Sequence, residues 1–125
     1  MKKLLLTALL CFCVNAYAVN WKKVIENTNG HSFYVDVDNI KKHNGLVYYW
    51  QLRDFLEPFY GDYSSISKGK FDCVEEKQTF LSTTFYSQPM GKGQITTETT
   101  PIRVIYPKPQ SVSYHVMKFV CDTAK

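Results

Sequence analysis

The chain carries four cysteines in 125 residues, and two of them, Cys11 and Cys13, lie in an N-terminal run that reads as a leader. The pair that remains, Cys73 and Cys121, constrains the fold more than any other feature. A secretory leader has a basic start, an apolar middle and small residues at its cleavage point. Lys2 and Lys3, the run Leu4 to Val14, and Ala16-Tyr17-Ala18 supply these in order. Residues 1–18 are therefore expected to be a signal peptide cleaved after Ala18, with residues 19–125 as one domain of 107 residues. The apolar run is too short to span a bilayer comfortably, and a hydrophilic segment follows it. An uncleaved anchor is the alternative. A lipid anchor is not expected, because Leu10 precedes Cys11 and Phe12 precedes Cys13 where a lipobox needs Gly, Ala or Ser. An exported chain left with two cysteines is expected to join them in a disulfide. Two isolated cysteines lack the paired spacing of a zinc site. Closing a loop of about fifty residues would stabilise the fold by on the order of 4 kcal/mol. That is a large contribution for a domain of this size.

Apolar alternation with a period of two predicts strands through most of the domain. Trp21 to Asn27 and Ser32 to Val37 form a hairpin around the turn Asn27-Thr28-Asn29-Gly30. Asp38 to Lys42 reads as a single helical turn with Asp38 as its cap. Asn44-Gly45 is a strong turn, and Leu46 to Phe55 is the longest clean strand. Its face Leu46, Tyr48, Trp50 and Leu52 is expected to be the core, with Val47, Tyr49, Gln51 and Arg53 outward. Pro58 and Gly61 are expected to end that strand and leave Glu57 to Ser65 as a loop. Ile66 to Cys73 and Thr79 to Tyr86 form a second hairpin across Glu75-Glu76-Lys77. Thr79, Leu81, Thr83 and Phe85 are expected on one face of its second arm. Gln88 to Gly93 turns into the threonine-rich strand Ile95 to Thr99. Ser111 to Val120 is the good helix, with Ser111 as N-cap and an apolar stripe of Val112, Val116, Phe119 and Val120. The fold class is therefore α+β: a small antiparallel sheet of about six strands with a C-terminal helix packed on it.

Little in the sequence points to catalysis. Removing Lys2 and Lys3 lowers the net charge from +4 to +2, and no dense basic run remains, so nucleic acid is not an expected partner. His31, His43 and His115 are scattered without metal-ligand spacing. Asp36 and Asp38 suit a strand end and a cap better than acid–base work. Gly91-Lys92-Gly93 lacks the rest of a phosphate loop. No catalytic, metal or cofactor site is expected. The unusual feature is nine Tyr, eight Phe and two Trp. Phe59, Tyr60 and Tyr63 fall in the Glu57–Ser65 segment, where they either fold over the sheet edge or form an exposed contact surface. Lys68 and Lys70 lie on the strand face opposite Phe71 and Cys73, and with Lys22 and Arg53 they could make a mild basic patch. These five residues, Phe59, Tyr60, Tyr63, Lys68 and Lys70, are the binding candidates.

The order of these pieces resembles the surface-adhesin protein E family of Gram-negative bacteria. The resemblance rests on Trp21-Lys22-Lys23-Val24, Phe33-Tyr34-Val35-Asp36 with Ile40, Trp50-Gln51-Leu52, and Ser67-Lys68 leading to Phe71-Asp72-Cys73. Phe85-Tyr86-Ser87 with Met90 to Gly93, and the helix from Ser111 to Cys121, complete it. The resemblance implies an antiparallel sheet with a C-terminal helix and one disulfide. It also implies an exported, non-catalytic binding module of adhesin type that contacts host matrix or serum proteins; the exported chain is expected in the periplasm or at the outer surface of a Gram-negative bacterium. The alternative is a periplasmic accessory or inhibitor domain with a bacterial protein partner.

Overall fold

The computed structural model describes residues 19–100 and 102–124; the expected signal peptide, with Cys11 and Cys13, and Pro101 lie outside them. Among the described residues the chain runs through β1 (Trp21–Glu26), β2 (Ser32–Asp36), β3 (Lys41–His43), β4 (Leu46–Phe59), β5 (Asp62–Asp72), β6 (Lys77–Gln88), β7 (Lys92–Thr99) and β8 (Arg103–Ile105). The helix α1 (Val112–Thr123) follows. All strand pairings are antiparallel. The main path has six strands in the order β1-β2-β4-β5-β6-β7, with β3 added to β4 and β8 to β6, which makes an eight-stranded sheet.

Local chemistry accounts for the turns. Asn27 Oδ1 accepts from the N–H groups of Asn29 and His31, which closes the first hairpin. Between β2 and β3 a single 3-10 turn spans Val37–Asn39. Its cap is Asp36 rather than Asp38: the buried Asp36 carboxylate accepts from the Asp38 N–H and from the Asn39 amide. Lys41 and Lys42, expected in the helical turn, instead belong with His43 to a strand that pairs with Leu46 to Tyr48. The tight Asn44-Gly45 turn at φ 52° and 80° folds it back as a strand.

The helix lies across one face of the sheet. Ser111 Oγ accepts from the Tyr114 N–H, so the expected cap forms. Val116, Met117 and Val120 are buried against Phe33, Val35, Val47, Tyr49 and Phe71. The core face of β4 is thus Val47 and Tyr49, the reverse of the alternation expected for that strand. Trp50 stays 38% exposed on the other side. Leu52 is buried on that outer side because the 3-10 turn Pro89–Gly91 folds over it and Ile66. The Met90 and Gly91 N–H groups donate to Asp54 Oδ1 and Ser64 Oγ, which pin the turn there.

Two details fit the aromatic core. Tyr49 pairs in register with Gly69, and a Cβ at position 69 would sit 2.9 Å from the Tyr49 ring. The missing side chain therefore makes room for the ring, which stacks on Phe71 at 4.6 Å. Cys73, two residues after Phe71, is bonded to Cys121 on α1, closing a loop with a sequence separation of 48. The predicted pair is therefore the disulfide that fastens the helix to the sheet. The alternation expected for β6 fails at one point. Lys68 pairs with Ser82 but Gly69 with Phe80, so Leu81 is the extra residue of a bulge. Phe80 consequently shares the helix-side face with Thr83 and Phe85.

Candidate functional site

The Glu57–Ser65 segment is not a loop. β4 continues to Phe59, β5 begins at Asp62, and Tyr60-Gly61 is a two-residue turn between them. Pro58 is accommodated because the register shifts between Asp54 and Phe59, where the ladder between these strands is interrupted. Tyr60 at φ 51° and Gly61 at φ 84° both take left-handed backbone conformations, the pattern of a type I′ hairpin. Asn44-Gly45 makes the same turn with the residues it favours. Tyrosine is not among them.

The tip is a ladder of aromatic rings. Phe55 is buried, Phe59 lies 5.9 Å from it, and Tyr60 meets Phe59 edge-on at 4.6 Å. Exposure rises along this ladder, from 6% at Phe55 to 54% at Phe59 and 91% at Tyr60. Tyr63 is exposed next to them on β5, and Leu56 is exposed on β4. The base of the ladder is held from the residue before β2: the Leu56 N–H donates to His31 Nδ1 at 3.1 Å, and the His31 ring meets Phe55 edge-on at 5.4 Å. The rings thus begin in the core and end in solvent.

The two lysine candidates lie elsewhere. In the β4–β5 register Lys68 pairs with Trp50 and Lys70 with Tyr48, on the face away from α1. Their ammonium groups stand 5.5 Å and 6.0 Å from those ring centres. Lys22 reaches over Phe119 on the helix, and Arg53 lies over Phe33 and Phe55. The four cations therefore divide between the two faces and form no single patch. Two of the five candidates, Phe59 and Tyr60, are in ring contact at the tip; Tyr63 follows on β5 as a separate exposed ring; Lys68 and Lys70 form a separate cation–aromatic pairing.

Beyond the edge of α1 the helix-side face of the sheet is open and polar. Gln51, Arg53, Ser65, Ser67, Thr83, Phe85 and Arg103 occupy positions that continue, along the same pleat, the face carrying Val47, Tyr49 and Phe71. Two adjoining hollows of about 360 and 310 Å³ lie here and share Gln51, Arg53, Phe80 and Arg103. Phe59 reaches the rim of the larger one, so this region borders the aromatic tip. Gln51, Ser65 and Arg103 were not among the sequence candidates. The signal was the break in apolar character along β4, where Val47 and Tyr49 give way to Gln51 and Arg53.

Among the described residues no three of His, Cys, Asp and Glu are grouped to hold a metal ion, and no helix is long and apolar enough to cross a membrane. A compact β-rich domain that ends in exposed aromatic rings and an open polar cleft has the form of a binding module.

The family model for surface-adhesin protein E matches residues 21–122, and the chain belongs to that family. Its fold is that of Haemophilus influenzae protein E. Crystal form II of that protein superposes with a TM-score of 0.66 at 17% identity, covering 85% of this chain and 90% of that one. A second H. influenzae protein E structure gives 0.68 at 16% identity, covering 85% and 86%. At such identity the likeness concerns the fold. Comparison with curated proteins finds no significant match.

Proposed function

We propose that this protein is an exported, non-catalytic binding module that contacts host extracellular-matrix or serum proteins through the tip of the β4–β5 hairpin. In this reading residues 1–18 are removed as a signal peptide, and the domain 19–125 acts at the outer surface. Membership of a surface-adhesin family supports an adhesin role. The observation that carries the choice of surface is Tyr60, a tyrosine at φ 51° that is 91% exposed. A non-glycine residue held in the left-handed region costs on the order of 1 kcal/mol, and burial of the ring recovers none of it here. Asparagine would make the same turn more cheaply, as Asn44 does. A ring presented at that cost, beside Phe59 and Tyr63, suits a contact anchor, because rigid aromatics supply large interface area at small entropy loss.

Solid-phase binding to matrix and serum proteins, comparing the wild type with the Tyr60→Ala/Tyr63→Ala variant, tests the proposal. The variant is expected to lose at least about tenfold in affinity, with its folding little changed. Equal binding by both would exclude the tip. Fractionation with protease shaving tests the location. Shaving of intact cells is expected to remove the protein, whereas a wholly periplasmic pool would favour an accessory or inhibitor domain.

A further inference from the structure

The open half of the helix-side face holds two cations without a carboxylate. Arg53 and Arg103 line the same cleft, and among the described residues no Asp or Glu lies within ion-pair distance of either. Arg53 is an exposed residue, and its guanidinium lies over Phe33 and Phe55 at 5.3 and 5.8 Å. Desolvation there, and then the charge of Arg103, lower its pKa. Two like charges turned into one cleft repel each other, and ring faces offer no hydrogen-bond acceptors in the plane of a guanidinium.

The floor between them has the same unfinished character. Gln51 is 7% exposed and Ser65 5% exposed, yet neither side chain has a hydrogen-bond partner among the described residues. Among the described residues Gln78 Oε1 alone is a sealed-off polar side-chain atom without a partner, so the Gln51 and Ser65 groups open onto the cleft with hydrogen-bonding capacity that no protein group uses. Ser67, next on that face, is satisfied by Thr83 at 2.8 Å, which shows that the strands can pair such groups when nothing else claims them. At one end of the larger hollow lie Val112 and Ser113, in the first turn of α1, where helix N–H groups lack acceptors within the helix. The rings of Phe80 and Phe85 wall the smaller hollow.

We propose that this cleft binds a compact carboxylate-bearing ring compound, aromatic or sugar acid, with the carboxylate between Arg53 and Arg103, the Gln51 and Ser65 side chains on its oxygens, and the ring against Phe80 and Phe85. A guanidinium presents paired N–H donors that match a carboxylate in its own plane, which a spherical anion cannot exploit as fully. The smaller hollow, of about 310 Å³, admits a single ring. This site does not depend on the adhesin reading: it lies on the sheet face, while the proposed contact anchor is at the hairpin tip.

The test is a titration of 15N-labelled protein followed by NMR, with benzoate and with glucuronate as two arms, and benzamide and inorganic sulfate as controls. Saturable shifts at the Ser65 and Ser67 amides and at Arg53 Nε are expected in at least one arm, and the tighter arm identifies the body of the ligand. Benzamide should leave these signals in place. Arg103→Gln, on an exposed edge strand, and Arg53→Lys, which keeps a cation at that position but loses the fork, should each weaken binding at least about tenfold. Both variants are checked for native spectra outside the cleft. The proposal is overturned by shifts that do not saturate in either arm. It is equally overturned if benzamide or sulfate reproduces the shifts, or if both natively folded variants bind as the wild type does.

Discussion

One pleated face of this sheet is put to two different uses. Under α1 it is apolar and closed: Val35, Val47, Tyr49 and Phe71 meet Val116, Met117 and Val120. Two residues further along β4 the same face bears Gln51 and then Arg53, opposite Ser67 and Ser65 on β5. The backbone geometry, the register and the pairing are the same in both halves. What differs is the cover. α1 is a 12-residue helix, and the disulfide ties its last turns to the end of β5, so the helix lies over one end of the sheet only. A helix of that length covers about 18 Å, whereas the 14-residue β4 extends over about 45 Å. The uncovered remainder is free to carry groups that contribute contact rather than stability. The aromatic tip is its far end.

This contrast can be broken by mutation, and the effects should fall steeply from one half to the other. Phe71→Ala removes a fully buried ring stacked on Tyr49 and should cost about 4 kcal/mol in urea unfolding. A cost below about 1 kcal/mol would mean the covered half is not the core. Tyr49→Phe is the next largest. The Tyr49 hydroxyl accepts from Gln78 Nε2 at 2.5 Å, and Gln78 Oε1 has no partner among the described residues. Losing the hydroxyl leaves the Gln78 amide wholly unpaired, at about 1–3 kcal/mol.

Tyr49 also predicts a pH dependence. Burial raises its pKa well above the ordinary tyrosine value, outweighing the hydrogen bond from Gln78, which lowers it. The folded protein therefore keeps the phenol neutral, while the unfolded chain ionises it near pH 10. The contribution is complete below about pH 10 and is lost as pH rises towards the folded pKa, by up to about 1.4 kcal/mol per unit. Urea unfolding of Tyr49→Phe should be flatter with pH than the wild type above about pH 10. Parallel curves would show that the phenol does not govern alkaline stability. Arg103→Gln, in the open half, should give the smallest effect, within about 0.5 kcal/mol of the wild type. A large loss there would erase the distinction between the halves.

The same contrast explains what could be read from the sequence. The disulfide, the capped helix, the first hairpin and the run of antiparallel strands were legible, because each rests on local residue chemistry or on the count of cysteines. The core face of β4 was not. Both of its faces carry large apolar residues, and Gln51 and Arg53 make the true core face look outward when the strand is averaged. Those residues belong to the open half, where no helix covers them, and the reach of α1 is a tertiary fact. The hairpin at Tyr60-Gly61 was hidden for a related reason. Pro58 normally stops a paired strand, and tyrosine is not a turn residue, so both local signals pointed to a loop. The bulge at Leu81, which brings Phe80 into line with Thr83 and Phe85, has no signature in the alternation at all. The cleft between Arg53 and Arg103 depends on that bulge and on β8, a three-residue strand that shows little in sequence.

Native-state amide hydrogen exchange of the free protein tests the division most directly. Protection approaching the global unfolding free energy is expected at Val35, Val47, Tyr49 and Phe71, whose strands lie under α1. The hairpin from Leu56 to Tyr63 and the edge strand Arg103–Ile105 should exchange much faster, through local opening that leaves the covered half intact. Protection at the tip and at β8 equal to that of Val47 and Phe71 would contradict the account, because the sheet would then open as one unit with no half set apart for contact.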